Sequence, residues 1–230
     1  MKKILALTLA LMMLTMCFVA CGQNNDNADD TTTTAGNNDA VTTPEDTTTA
    51  ATEDTTEATA ELAYGNALEL LQIIFDKYNA TATEETKLYV CGGNVNNFET
   101  TNPEGPAAFV ALENEDYNAN LGFPAANADK IASAASMFNM MNANTFNCYT
   151  IQFTDGTDVD AMITALKDNI LARQWICGSP EKLVIAKAPG NCIIVVWGVV
   201  EFGGIVDPVA QSFATSVEGA SIVVEHSFAQ

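Results

Sequence analysis

Positive charge is scarce in this 230-residue chain: nine lysines and arginines and one histidine stand against 29 acidic residues, for a formal charge of −20. A surface of this sign repels the phosphate backbone, which argues against a nucleic-acid-binding function. The single histidine, His226, excludes His-rich zinc sites and leaves most histidine-based acid–base mechanisms without a partner. The length allows one or two domains.

The first 20 residues have the pattern of a secretory signal. Lys2 and Lys3 precede an uncharged apolar run over residues 4–20, and small residues stand before Cys21. A basic start, an apolar core and a small-residue cleavage site are typical of a signal that is removed. A permanent membrane helix is the alternative, but no basic stop-transfer cluster follows the run. We therefore expect residues 1–20 to be cleaved.

The cleavage site resembles a bacterial lipobox, although Phe18 stands where leucine is usual. In a lipobox the cysteine sulfur is acylated, for example with palmitate, and the cysteine becomes the new N-terminus. The resemblance implies that Cys21 is the lipid attachment site and that the protein sits on the extracytoplasmic face of a cell membrane. At about 0.8 kcal/mol per buried methylene, two or three acyl chains hold a protein firmly on a bilayer. An ordinary disulfide thiol is the alternative for Cys21.

The composition of residues 21–60, which begin with Cys21, predicts a disordered linker. It consists almost entirely of Asn, Asp, Thr, Ala and Glu, with nine acidic residues, no basic residue and no aromatic one. Such a composition buries too little apolar surface to offset the entropy of ordering. A flexible coil of this length reaches on the order of 35 Å. Residues 61–230 then form a single folded domain with a net charge of −13, from 20 acidic and 7 basic side chains.

Apolar periodicity in residues 61–230 predicts an α+β domain. Helices are predicted at about 66–78, 129–142, 157–172 and 207–217, and strands at 87–91, 107–112, 147–153, 182–188, 192–198 and 221–225. From residue 147 onward the order is β-α-β-β-α-β. That order is typical of a ferredoxin-like sandwich with two helices on one sheet face, here preceded by a smaller helix and strand region.

Three stretches carry a family resemblance: residues 134–146, 168–170 and 173–178. Together they resemble uncharacterised membrane lipoproteins of anaerobic Gram-positive bacteria (Clostridia), over roughly residues 85–200. The resemblance implies a location at the cell membrane. It implies no activity, because none is assigned to those proteins.

Acidic clusters offer two candidate chemistries. Residues 155–160 are the densest cluster, but the chain enters an apolar helix too early for a calcium loop. We interpret Asp155 and Gly156 as a turn and Thr157 as the helix cap, and we predict no metal site. Glu113, Glu115 and Asp116 are loop carboxylates of which two, such as Glu113 and Asp116, could form a glycosidase pair. A solvated acidic loop is the favoured interpretation, because no sugar-binding aromatic platform accompanies these residues.

Nucleophilic, thiol and phosphate chemistry find little support. His226 lies near the C-terminus and no G-x-S-x-G turn exists, so no catalytic residue is assigned. Gly92-Gly93 lacks the phosphate-loop pattern and predicts a turn. Of the four mature cysteines, Cys148 and Cys192 each begin a strand and would lie at opposite ends of neighbouring strands, too far apart for a disulfide. We expect unpaired thiols, while one bridge that involves Cys91 or Cys177 remains open.

Arg173 and Trp175 are the candidates for ligand contact, because an exposed aromatic ring beside an arginine can hold a ligand. The alternative for Trp175 is core packing, and Trp197 is expected to pack beneath a helix. These observations favour a non-catalytic module that binds an extracellular ligand or protein, with no cofactor. The alternatives are an envelope hydrolase that uses Glu113 and Asp116, and a small solute-binding accessory of a transporter.

Overall fold

An antiparallel sheet of seven strands lies at the centre of the described chain. The computed structural model describes residues 62–139, 146–175, 179–199 and 206–229, all within one compact unit. In chain order the main elements are α1 (Ala67–Thr81), β1 (Cys91–Gly92), β2 (Ala107–Ala108), α2 (Glu115–Leu121), β3 (Ile131–Phe138), β4 (Asn147–Phe153), α3 (Val159–Ala172), β5 (Lys182–Ala188), β6 (Cys192–Gly198), α4 (Val206–Ser216) and β7 (Ser221–Ser227). The fold is α+β, as predicted.

Helices cover both faces of the sheet. The strand order is β1-β3-β4-β6-β5-β7, with β2 also paired to β3. Helices α1 and α4 bury apolar side chains against one face, and α3 with the end of α2 buries them against the other, which we call the α3 face. Strand β6 is buried along its whole length. Its unbroken apolar run follows from this position, because both faces of the strand meet helices rather than water.

Most predicted elements of the C-terminal half are confirmed, and several to the residue. Strands β4, β5 and β6 have the predicted bounds, while α4 and β7 differ by one or two residues at their ends. The β5–β6 hairpin turns through Gly190 (φ 71°) and Asn191 (φ 56°), and glycine and asparagine are the residue types that adopt a positive φ most readily. Helix α1 is also confirmed, and Asn66 caps it by accepting the Glu69 amide at 3.0 Å.

The helix predicted over 129–142 is wrong, because residues 131–138 form strand β3. Alternate side chains of β3 serve different cores: Ala135 and Met137 lie on the α1 and α4 side, and Ala134 lies on the α3 face. The prediction rested on helical spacing among small residues. Strand pairing with β4 along nearly the whole of β3 overrides that local preference. The end of the predicted helix, residues 140–142, lies outside the described residues.

The strands predicted over 87–91 and 107–112 are confirmed only as the two-residue strands β1 and β2. Side chains take the backbone groups that a longer ladder would use. The Leu88 amide donates to Asn79 Oδ1 at 3.1 Å. The Val110 carbonyl accepts the side-chain amides of Asn94 and Asn97 at 3.0 and 3.3 Å. Asparagine side chains compete with strand pairing in this way.

The ferredoxin-like topology is not confirmed, because it requires the last strand to pair with β4, whereas β7 pairs with β5. Strand β3 already occupies the outer edge of β4, so the last strand joins the opposite edge of the sheet. The connection from β4 to β5 and the connection from β6 to β7 both move across the sheet in the same direction. Strands β4 and β6, where these connections start, are antiparallel to each other. Right-handed connections therefore place α3 and α4 on opposite faces.

Cys91, Cys148 and Cys192 are free thiols, as expected, whereas Cys177 lies outside the described residues. Cys148 and Cys192 are fully buried, and they lie opposite Val196 and Gln152, near opposite ends of the β4–β6 pair. Burial raises the pKa of the Cys192 thiol to about 12 and raises that of Cys148 as well. Neither group is therefore a reactive thiolate at neutral pH.

We predict that Cys148 and Cys192 react with an alkylating reagent at least about 100-fold more slowly in the native protein than after denaturation. Timed alkylation followed by peptide mass spectrometry measures each cysteine separately. Half-buried Cys91 serves as the internal reference and should react faster than the other two. Equal native rates at all three positions would contradict the buried placement of β4 and β6.

Candidate functional site

A cleft opens on the α3 face, where α2 and α3 both end. Its volume is about 310 Å³, and it is lined by Asn118, Ala119, Asn169, Ala172 and Arg173. We call it the Arg173 cleft. A volume of this size suits a small molecule rather than a segment of polypeptide.

Hydrogen bonds hold the two helix ends together beneath the cleft. The Asn169 side chain donates to Asn118 Oδ1 and to the Gly122 carbonyl, both at 2.8 Å. Gly122 ends α2 with φ 66°, and a side chain there would meet Ile170 Cγ1 at 2.7 Å. Only glycine suits both the positive φ and the close approach. The Tyr149 hydroxyl, from β4 below, donates to the Leu121 carbonyl at 2.5 Å.

Arg173, the only arginine of the chain, projects from the end of α3 into this cleft. Its Nη2 donates to the Ala119 carbonyl at 2.8 Å, and its Cζ lies 4.8 Å from the Trp175 ring centroid, a cation–π distance. Nη1 is buried and has no hydrogen-bond partner among the described residues, where Arg173 also forms no ion pair. Burial lowers the pKa of Arg173 and nearby Tyr149 opposes that shift, but a guanidinium remains charged.

Trp175 is half-buried and packs against the core of the α3 face, in agreement with the core-packing alternative, while its indole N–H has no hydrogen-bond partner among the described residues. Its ring centroid lies 5.9 Å from that of Trp197 and 6.3 Å from that of Phe228. Trp197 packs under the α3 face, as predicted, with its ring 5.4 Å from Tyr149. The Trp175 Nε1 is buried without a hydrogen-bond partner in the described chain.

Asn147 adds a third unsatisfied atom to the same neighbourhood. It lies opposite Trp197 in the β4–β6 pair and donates to the Asn120 carbonyl at 3.1 Å. Its Oδ1 is buried and, within the described residues, accepts no hydrogen bond. Buried polar atoms are nearly always paired, and each exception calls for an explanation. Two donors, on Arg173 and Trp175, and one acceptor, on Asn147, therefore lack a partner among the described residues, and of these three residues Arg173 lines the cleft.

The acidic loop interpretation is wrong for Asp116, because Glu115–Leu121 is the helix α2 and Asp116 is 4% exposed. Its two carboxylate oxygens accept the side-chain amides of Asn94 and Asn96 at 2.8 and 2.7 Å, and the Leu112 amide at 2.8 Å. Burial raises the pKa of Asp116, but these hydrogen bonds lower it by more, so the net shift is downward. Glu113 is exposed, as a solvated loop residue would be.

The cluster at residues 155–160 begins α3, but the cap is Asp158 rather than Thr157. Asp158 Oδ1 accepts the Ala161 amide at 3.0 Å, while the Thr157 hydroxyl lies 3.0 Å from that of Thr154. The turn at Gly156 is confirmed by its φ of 77°. Asp160 pairs with Lys187 at 2.9 Å. No group of three or more potential metal ligands occurs in the described part of the chain.

Gly92 is the second residue of strand β1 rather than part of a turn, and the chain bends at Gly93. A side chain at Gly92 would lie 2.2 Å from the Ala107 amide nitrogen, and Gly93 has φ 101°. His226 lies near the end of the edge strand β7, half-buried, with its ring 5.2 Å from that of Phe228. Neither feature contributes to the Arg173 cleft.

No protein-family model, curated protein or solved structure matches this chain. The resemblance to clostridial lipoproteins therefore stays a prediction. The signal, Cys21 and the linker lie outside the described residues. No helix within the described ranges is long and apolar enough to cross a membrane.

Proposed function

We propose that this chain is a membrane-anchored extracytoplasmic lipoprotein whose folded domain is a non-catalytic module that binds a small anionic ligand in the Arg173 cleft. The signal pattern and Cys21 support the anchor, and the linker composition supports a domain held away from the bilayer. The single observation that carries the binding role is that Arg173 forms no ion pair and leaves Nη1 without a hydrogen-bond acceptor among the described residues.

A chain with 29 acidic residues offers many partners to its only arginine. Arg173 nevertheless contacts a carbonyl and an indole ring, and leaves Nη1 without an acceptor in the described structure. A guanidinium presents donors in a planar fork that matches a carboxylate, and hydrogen bonds between charged groups are the strong ones. Because Arg173 is the charged residue that lines the cleft, a carboxylate is the ligand group that the cleft favours.

The geometry of Asp116 gives the hydrolase alternative no support. Glycoside hydrolysis needs one carboxyl group that holds a proton and a second that attacks or activates water. Asp116 uses both oxygens to accept three N–H groups, and its pKa is lowered rather than raised. That environment favours a permanent carboxylate.

A thermal-denaturation screen of the mature chain tests the binding proposal. We expect a carboxylate ligand such as galacturonate or glutamate to stabilise the protein, by about 2.7 kcal/mol at about 100 times its Kd. The matched neutral compounds, galactose and glutamine, should have little effect. Arg173→Gln should weaken binding at least about tenfold, because it removes a charged hydrogen bond.

Lys87→Gln is the control, since Lys87 is an exposed cation that does not line the cleft. An equal loss of ligand stabilisation in the Lys87 and Arg173 variants would point to general electrostatics rather than to the cleft. Turnover of any ligand in the panel would contradict a non-catalytic module.

A further inference from the structure

Apolar side chains are exposed together on a second surface, formed by residues 94–98 and 110–112. Phe98 is 77% exposed, Leu112 67%, Val110 43% and Val95 38%. We call these four residues the Phe98 patch. Single exposed apolar residues are ordinary on a protein surface, but a group of them on adjoining segments marks an interaction site.

Asparagine hydrogen bonds hold these two segments in fixed positions. Val95 lies between Asn94 and Asn96, whose side chains donate to the buried carboxylate of Asp116. Phe98 follows Asn97, whose side chain donates to the Val110 carbonyl at 3.3 Å. The Leu112 amide itself donates to Asp116 at 2.8 Å. Each apolar residue of the patch is therefore a member of this network or a direct neighbour of one, so the patch is a preorganised surface.

The surroundings of the patch are acidic. Glu99 directly follows Phe98 and Glu113 directly follows Leu112, and both acids are exposed; residues 88–129, which contain both segments, hold no lysine, arginine or histidine. An apolar centre with a rim of one charge sign selects a partner of the opposite sign, because complementary charge directs association and rejects like-charged surfaces.

We propose that the Phe98 patch is the docking surface for a protein or peptide segment that combines basic residues with apolar side chains. The linker of this chain does not fit the surface, because it holds nine acidic residues and no basic one. A second copy does not fit either, since the domain carries a net charge of −13. An anionic lipid surface is repelled by the same rim. This proposal stands independently of the ligand proposed for the Arg173 cleft.

Peptide binding to the mature full-length chain tests this inference. The probe is a short peptide that alternates leucine with lysine, and the matched peptide replaces each leucine with serine. We expect the leucine peptide to bind in the micromolar range and to weaken as salt increases. The variant Phe98→Ser/Leu112→Ser should lose about tenfold or more in affinity, while its unfolding transition is unchanged because both side chains are exposed.

Tyr89→Ser is the control, since Tyr89 is as exposed as Leu112, at 67%, and is not one of the four patch residues. This variant should bind the peptide as the wild type does. Equal affinity for both peptides would mean that charge alone acts, and would overturn the proposal. Equal peptide affinity in the wild type and the double variant would overturn it too. The proposal would also be overturned if Phe98 were required for dimer formation or for binding to phosphatidylglycerol vesicles.

Discussion

Replacing Cys21 with alanine is expected to abolish incorporation of labelled palmitate into the protein, because the lipobox cysteine is the only acyl acceptor in the proposed anchor. In the proposed anchor, two or three acyl chains at about 0.8 kcal/mol per buried methylene would hold the protein on the bilayer, whereas the domain predicted over residues 61–230 carries a net negative charge. Metabolic labelling followed by gel analysis measures the effect, which should be a complete loss of label.

Cys17→Ala is the matched control, since Cys17 lies inside the predicted signal and should leave labelling unchanged. The mass of the wild-type protein provides a second check. A mature chain that begins at an acylated Cys21 supports the anchor. An unlabelled chain that still carries residues 1–20 would instead favour a permanent membrane helix.

Asp116→Asn is expected to lower the free energy of unfolding at pH 7 by about 3 kcal/mol. The replacement removes a buried charge that accepts three N–H groups and directs an amide NH₂ toward them. At least one of the donors on Asn94, Asn96 and Leu112 then has no acceptor, and the cost of a buried unsatisfied donor is added to the lost hydrogen bonds. Urea denaturation of both proteins measures the difference.

We also expect the stability difference between the wild type and Asp116→Asn to depend on pH. Because folding lowers the pKa of Asp116 below its ordinary value of 3.8, its contribution is present above about pH 4 and is lost as the pH falls through the lowered pKa. The difference in stability between wild type and Asp116→Asn should therefore shrink in acid. Glu115→Gln alters an exposed neighbour and should change stability by less than about 0.5 kcal/mol. A similar loss in both variants would contradict the buried network.

The C-terminal half was predictable because its signals are local. Strands β5 and β6 are apolar runs separated by Pro189-Gly190-Asn191, and α3 shows helical spacing immediately after a turn. The sequence does not predict strand β3, because its three alanines, two serines and one methionine suit helix and strand alike. Its pairing with β4 decides the outcome, and a non-local partner leaves no periodic signal in the segment itself.

The candidate site was predictable only in part. Arg173 and Trp175 stand close together in the sequence, and their types alone suggested a contact. Asn118, Asn147 and Asn169 come from three separate elements, and asparagine has no periodic pattern that would bring them together. The burial of Asp116 likewise depends on asparagines 20 and 22 residues away. The order of the strands decides which face of the sheet each helix covers. That order depends on β3, which pairs with β4 and leaves the opposite edge of the sheet for β7.

The indole N–H signals in a ¹H–¹⁵N NMR spectrum test the central claim, ligand binding at the Arg173 cleft, most directly. The chain has two tryptophans and hence two such signals, and Trp175→Phe identifies the one from Trp175. Addition of a carboxylate ligand from the stabilising set should shift the Trp175 signal in a saturable manner, because the Trp175 ring lies against the Arg173 guanidinium that binds the carboxylate. The shift should disappear in Arg173→Gln. A ligand that stabilises the protein while leaving the Trp175 signal in place would contradict the account.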